Sequence, residues 1–315
     1  MLDNLIFCLN AVIPIFLMMI LGAFFMKIKV FDEAFVNRLN SFVFKVSLPV
    51  LVFYDMSRSD FHDIWDGKFV IFCFVATVAS ICLTWGISFF IKNRGERGEF
   101  IQVAYRSSAA IMGIALVVNL YGSAGMTPLM ILGSVPLYNV IAVTVLSLFN
   151  EENGPLDRAL IIQTAGNVLK NPIIWGVFAG LAWSVADINT PQILDTSFSY
   201  VARLATPLGL MALGASFDIK KARESVTLAG LASFIKLIGL GMIIIPIAIS
   251  LGYADDKLVA VLIMCCSPTT VSCYIMAKNM GHDGTLTSST VMMTTACSAF
   301  TLTAWLFILK TIGVI

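Results

Sequence analysis

The stretch from Tyr105 to Gly125, YRSSAAIMGIALVVNLYGSAG, decides the fold class. It is apolar enough to cross a bilayer, yet it carries Arg106, Ser107, Ser108, Asn119 and a cluster of small residues. A guanidinium at bilayer depth costs at least about 2.5 kcal/mol on insertion scales, so an arginine in such a run points to function. A second stretch, Cys265 to Gly284, CCSPTTVSCYIMAKNMGHDG, has the same mixture. Together they predict a membrane protein organised around the point where the two meet.

Working outward, composition agrees. Hydrophobic residues make up 58% of the 315-residue chain and charged residues 12%, against roughly 25% charged in a soluble domain. The net charge of +1, with no basic patch among aromatics, gives no reason to expect a nucleic-acid partner. Seven cysteines fall inside apolar runs at no metal-ligand or disulfide spacing, which reads as packing. No cofactor or metal motif is present. No basic leader precedes the first apolar run, so that run is expected to act as the targeting signal itself.

Apolar runs predict ten spans, at roughly 5–26, 36–54, 68–91, 101–121, 126–149, 171–187, 199–217, 227–252, 257–279 and 286–310. Backbone amides in hydrocarbon must pair within their own segment, so these runs are helices and the fold class is all-α. Glu151 to Pro155 breaks the chain near its midpoint, and 156–170 reads as an amphipathic piece on the membrane surface. Lysine and arginine concentrate in the loops after odd-numbered spans, which puts both termini outside by the positive-inside rule.

The halves match at a nearly constant offset. Pro14 and Pro172, Gly22 and Gly180, Lys45 and Arg203, and Pro49 and Pro207 all lie 158 apart; Asn119 and Asn279 lie 160 apart. This predicts two five-span repeats, 1–155 and 156–315. With an odd number of spans per repeat, the second copy enters from the opposite side, which is an inverted repeat and a mark of secondary transporters. Pro49, Pro207, Asn119 and Asn279 become candidate break or gating positions.

The cations placed within spans are Arg38, Lys45, Arg106, Arg203 and Lys236, whereas all 19 acids are expected in loops, termini or span edges. An electropositive interior suits an anionic substrate that a guanidinium can hold bidentately. Lys236 and Arg203 can equally pair with backbone carbonyls to fix packing. Pro268 sits halfway along the ninth span, where it removes a backbone donor, and Thr269, Thr270 and Ser272 beside it can satisfy freed carbonyls or touch a ligand. Two facing helix breaks would present N–H groups and partial positive charge to an anion.

The motifs PLGLMALGASF (207–217), PTTVSCYIMAKNMGHD (268–283) and MGIAL (112–116) resemble those of the auxin efflux carrier family, and the resemblance covers essentially the whole chain. It implies a ten-helix inverted-repeat fold similar to bile-acid sodium symporters and sodium/proton antiporters. In that fold helices 1, 2, 6 and 7 form a scaffold and helices 3–5 and 8–10 a transport domain, with broken helices 4 and 9 crossing at the substrate. The plant exporters carry an asparagine and a proline in helix 4 where this chain has Ser108 and Ala115, so the helix 4 break rests on Gly113. The long hydrophilic loop of many plant members is missing, which favours a compact bacterial permease of the malate and malonate kind.

The sequence therefore predicts a non-enzymatic alternating-access carrier of a small carboxylate in the bacterial inner membrane. Its expected site is Arg106, Ser107, Ser108, Gly113, Pro268, Thr269, Thr270 and Ser272. The coupling ion, proton or sodium, is left open, and a homodimer through the scaffold is the analogy the fold offers. A cation/proton antiporter on the same fold and a non-transporting ligand sensor are the alternatives. An intramembrane hydrolase would need a nucleophile–base pair or metal set at bilayer depth, and none is read there.

Overall fold

The computed structural model describes residues 2–58, 65–150, 158–186, 188 and 190–315. The expected midpoint break at Glu151 to Pro155 lies outside these residues. The described chain is helical, with no strand. In order the helices are α1 (Leu2–Lys27), α2 (Glu33–Phe42), α3 (Leu48–Ser57), α4 (Gly67–Ser88), α5 (Arg94–Tyr105), α6 (Ala109–Tyr121), α7 (Thr127–Leu148) and α8 (Arg158–Lys170). They continue with α9 (Pro172–Val185), α10 (Gln192–Ser216), α11 (Ile219–Glu224), α12 (Val226–Phe234), α13 (Leu240–Ser250), α14 (Asp255–Cys266), α15 (Ser272–Asn279) and α16 (Thr285–Thr311). Single π-helical turns, Val43–Ser47 and Ile235–Gly239, join α2 to α3 and α12 to α13 without ending the helix.

Local chemistry sets the helix starts. Asp32, Asp66, Asn93 and Asn171 each accept a backbone N–H of the first turn of the helix that follows, satisfying donors that have no intrahelical partner. Gly122, at φ +77°, ends α6 in the left-handed conformation that glycine adopts without strain.

Among the described residues six unbroken helical runs are long and apolar enough to span a membrane: Glu33–Ser57, Gly67–Ser88, Thr127–Leu148, Gln192–Ser216, Val226–Ser250 and Thr285–Thr311. The pair Leu160–Lys170 and Pro172–Val185, bent by 56°, makes a seventh if taken as one span. Ile20, Ile71, Phe74, Trp175, Phe300 and Phe307 are exposed on the outer surface, the pattern of a protein whose solvent is lipid. Length and composition thus give six or seven spans where the sequence predicts ten. The fourth and ninth predicted spans are each split into two short helices, the first counts only as the shorter apolar helix Val12–Lys27, and the sixth counts only as part of the bent pair.

The first halves of the split spans, α5 and α14, are largely enclosed. Every residue from Leu258 to Cys266 of α14 is buried, and so is the chain from Gly98 to Ser107. Interrupted backbone is tolerated at membrane depth where protein, not lipid, surrounds it. Glycines bring the outer helices into backbone contact: a Cβ on Gly22 of α1 would lie 2.0 Å from the Met211 carbonyl of α10, and one on Gly180 of α9 would lie 2.8 Å from the Phe53 carbonyl of α3. Each pair packs along much of its length.

One expectation needs correction. The acids do not all lie in loops or at edges. Glu99 is a buried residue of α5, because the helix begins at Arg94 and not near 101. Its carboxylate accepts the N–H groups of Gly284 (2.8 Å) and Thr287 (2.9 Å) and the Thr287 hydroxyl (2.7 Å), capping α16 from a different helix. Asp55 belongs to α3, which runs on to Ser57.

Candidate functional site

Both quoted stretches are interrupted. α5 ends at Tyr105, Arg106 turns extended (φ −81°, ψ 128°), and α6 restarts at Ala109 after Ser108. The interruption is at 106–108, not at Gly113, which lies five residues into α6. α14 ends at Cys266, Ser267 turns extended (φ −74°, ψ 158°), and α15 begins at Ser272. The two breaks meet, the amide of Ser108 donating to the Pro268 carbonyl at 2.9 Å.

A helix that stops leaves carbonyls without partners, and here each break caps the helix of the other. The Ser107 hydroxyl donates to the Met264 carbonyl of α14, and the Thr269 hydroxyl donates to the Val103 carbonyl of α5 at 2.8 Å. The Met264 carbonyl also accepts the Tyr138 hydroxyl at 3.1 Å. Lys236, fully buried in the π-helical turn, donates to the carbonyls of Cys265 (2.7 Å) and Met264 (3.3 Å) and to Ser107. A cation at a helix C-terminus matches the negative end of the dipole, so this lysine follows the packing alternative read for it above. The Gln102 amide reaches across to the Cys273 carbonyl at 3.1 Å.

Arg106 is buried at the junction, 5% exposed. One guanidinium nitrogen goes to the Asn139 side-chain oxygen at 2.7 Å and another to the Met276 sulfur at 2.7 Å. Asn139 donates its own amide to the Val135 carbonyl at 3.0 Å, which fixes its oxygen toward the arginine. Thioether sulfur is a weak acceptor, so one arm of the fork holds only a soft partner.

Beside this junction is a cleft of about 60 Å³. Arg106, Ser107, Ser108, Thr270 and Ser272 line it, with Tyr138 and Asn139 of α7 and Leu51, Val52 and Asp55 of α3. Of the residues expected to touch substrate, five therefore share one cavity. Pro268 and Thr269 are buried behind it, and Thr269 is held by its bonds to Val103 and, through its amide, to Thr294 (3.1 Å). Asn279 lines a separate cavity of about 380 Å³ with Asn150, Asn167, Lys170 and Asn171, and donates to the Asn40 carbonyl at 3.1 Å. Asn119 is exposed on α6. Pro49 lies at the start of α3 and Pro207 within α10.

The sequence reading does not single out Asp55, Gln102, Tyr138 or Asn139. The usable signal was a polar or ionisable residue inside an otherwise apolar run.

These features define a class: a multi-pass helical membrane protein whose interrupted helices meet in its interior, the architecture of transporters. A family described as membrane transport protein matches residues 7–306. The chain belongs to that family, which includes the auxin efflux carriers whose motifs it resembles. It is 22% identical over 312 residues, 95% of each chain, to a protein of Rhizobium meliloti (strain 1021) named "Putative malonate transporter". It is 21% identical to the "Uncharacterized transporter YfdV" of Escherichia coli (strain K12), covering 87% of this chain and 88% of the relative. A third relative, an "Uncharacterized transporter" of Methanothermobacter thermautotrophicus, is 20% identical over 95% of this chain and 98% of its own.

Proposed function

We propose that this chain is a secondary carrier of a small organic anion, a malonate-like or malate-like carboxylate, working by alternating access. The observation that carries the reading is the meeting of the breaks through Ser108 and Pro268, with Arg106 buried at the junction and facing the same small cavity. The orphan carbonyls at this junction are capped, so the negative ends of α5 and α14 are neutralised. The positive ends of α6 and α15 begin beside the cavity, which Arg106 also lines. The rhizobial relative's name points to the same substrate class.

The ten-span inverted repeat gains support from two symmetric contacts. Gly22 meets Met211 and Gly180 meets Phe53; both members of the second pair are related to the first by the offset of 158. Ser107 caps Met264 as Thr269 caps Val103, again with roles exchanged between halves. In this reading α1, α2–α3, α9 and α10 are the scaffold, against which the domain containing both breaks rocks. Both termini lie outside the bacterial inner membrane, and a homodimer would form through the scaffold. The cation/proton antiporter reading has one observation in its favour, Asp55 in the cavity, but the guanidinium in the same space opposes a bound metal cation.

The test is a thermal-shift screen of small carboxylates on detergent-purified protein, followed by flux in proteoliposomes. A carboxylate that raises the unfolding temperature and is then transported supports the proposal. A protein stabilised only by cations, or one that binds carboxylates without moving them, overturns it.

A further inference from the structure

We infer that Asn40, Tyr274 and Asn279 form a gate in the substrate's path, on the side of the breaks away from the cleft, and that α15 parts from α2 there when the anion leaves. The inference rests on the proposed alternating-access reading. α2 and α3 belong to one continuous helical run, Glu33–Ser57, whose α3 part lines the cleft with Leu51, Val52 and Asp55. Asn40 precedes Leu51 by eleven residues, about 16 Å along the axis. α15 runs from Ser272, which lines the cleft, to Asn279. The Asn279 side-chain amide donates to the Asn40 carbonyl at 3.1 Å. The same helical run therefore borders the cleft near one end and is closed off by α15 near the other.

The chemistry of this closure is unlike that of the scaffold contacts. Where α1 meets α10 and α3 meets α9, glycines let backbone lie on backbone. Where α15 meets α2 and α10, buried polar groups lack partners. Asn40 is 3% exposed, and neither its side-chain oxygen nor its nitrogen has a hydrogen-bond partner. Tyr274 is 2% exposed; its hydroxyl is directed toward Ser216 of α10 and Asn40 but bonds to neither. Ser47, fully buried in the π-helical turn between Asn40 and the cleft, also has an unpartnered hydroxyl. A buried polar group without a partner is costly, and a permanent interface would carry apolar side chains at these places. In an interface that opens, the same groups gain water each time it parts, which brings the free energies of the closed and open forms together. A route beyond the gate is at hand. Ser216 lines a surface cavity of about 300 Å³ with Asn37 and Lys278, so the gate stands between that surface and the breaks.

The test uses malonate as the probe, with full-length protein in detergent and in proteoliposomes. Asn40→Leu keeps the size of the side chain and removes its polar atoms. It should raise the unfolding temperature, because the closed form no longer buries an unpaired amide, and should still be stabilised by malonate. Its uptake of malonate should fall by at least about tenfold, because the closed form is favoured over the open one. A merely structural role would lower stability instead. Tyr274→Phe removes one hydroxyl and should show the same pairing of higher stability with slower uptake, which keeps the test intact should Asn40→Leu fold poorly. A charged, membrane-impermeant thiol reagent reports the geometry. Above the wild-type background, Asn40→Cys should be labelled from one face of the membrane and Leu51→Cys from the other. Wild-type uptake by Asn40→Leu and Tyr274→Phe, a lower unfolding temperature in both, or labelling of both cysteines from one face would overturn the inference alone. Wild-type protein that neither binds nor transports malonate would overturn the reading of the site and the inference with it.

Discussion

The backbone amide of Ser108 and the carbonyl of Pro268 are 2.9 Å apart, and this hydrogen bond joins the two interrupted helices at the centre of the protein. Ser108 has φ −80°, a value proline can adopt, so Ser108→Pro removes the donor without demanding a new turn. It also places a ring carbon against the Pro268 carbonyl and restricts Ser107. An orphaned buried carbonyl costs about 1–3 kcal/mol. The variant should unfold at lower temperature and lose stabilisation by malonate, both read in one thermal-shift series.

Glu99 should matter more to stability than any exposed acid. Three donors at the start of α16 converge on its carboxylate. Glu99→Ala leaves those donors buried and unpaired, for a loss of about 3 kcal/mol, while Glu99→Gln keeps part of the set and should lose less. Thermal unfolding in detergent, comparing the two variants with wild type, checks the order.

Contact between α1 and α10 depends on glycine at two places. A Cβ on Gly22 or on Gly214 would come within 2.0 Å of a backbone carbonyl, of Met211 and of Met19 respectively. Gly22→Ala and Gly214→Ala must push the helices apart, at a cost of at least about 1–3 kcal/mol. Gly230→Ala is the control: its Cβ would meet only the Met293 methyl at an ordinary 3.8 Å. Yield of folded protein by size-exclusion chromatography should fall for the first two and hold for the third.

Acid should weaken the tie between α4 and α14. The hydrogen bond from Lys257, at 2.6 Å, and that from the Phe69 amide hold the Asp66 carboxyl below the usual carboxylate range. A folded-state pKa below the unfolded one adds stability above the unfolded value, about 4, and that stability disappears as pH falls through the folded value. Both side chains are partly exposed, so the pair contributes less than about 1 kcal/mol. Asp66→Asn, which still caps α4, should lower the unfolding temperature slightly at pH 7 and not at pH 3.

Much of this organisation was legible in the chain. An arginine and two serines inside one apolar run, and a proline among hydroxyls inside another, located both interruptions, because each needs polar groups to cap the helix that stops. The exact position in the first stretch is not: with the family's helix 4 asparagine and proline replaced by Ser108 and Ala115, the resemblance rests the break on Gly113, yet it falls at 106–108, where hydroxyls meet carbonyls from the other half. That pairing is tertiary and leaves no local trace. Asp55 and Glu99 were missed for a related reason. The apolar runs end at 54 and begin at 101, but both helices continue past the point where apolar residues stop. Lys236 was ambiguous because a mid-span lysine can serve a ligand or a helix end, and only the positions of the Met264 and Cys265 carbonyls decide between them.

The account stands on Arg106 holding the anion where the breaks cross. The direct measurement is uptake of labelled malonate into proteoliposomes containing equal amounts of folded wild-type and Arg106→Ala protein. The prediction is transport by wild type and a fall of at least about tenfold in the variant, as expected when a charge-assisted, two-pronged contact is lost. Arg106→Lys, a point charge without the fork, should recover only part. Uptake by Arg106→Ala at the wild-type rate would contradict the account.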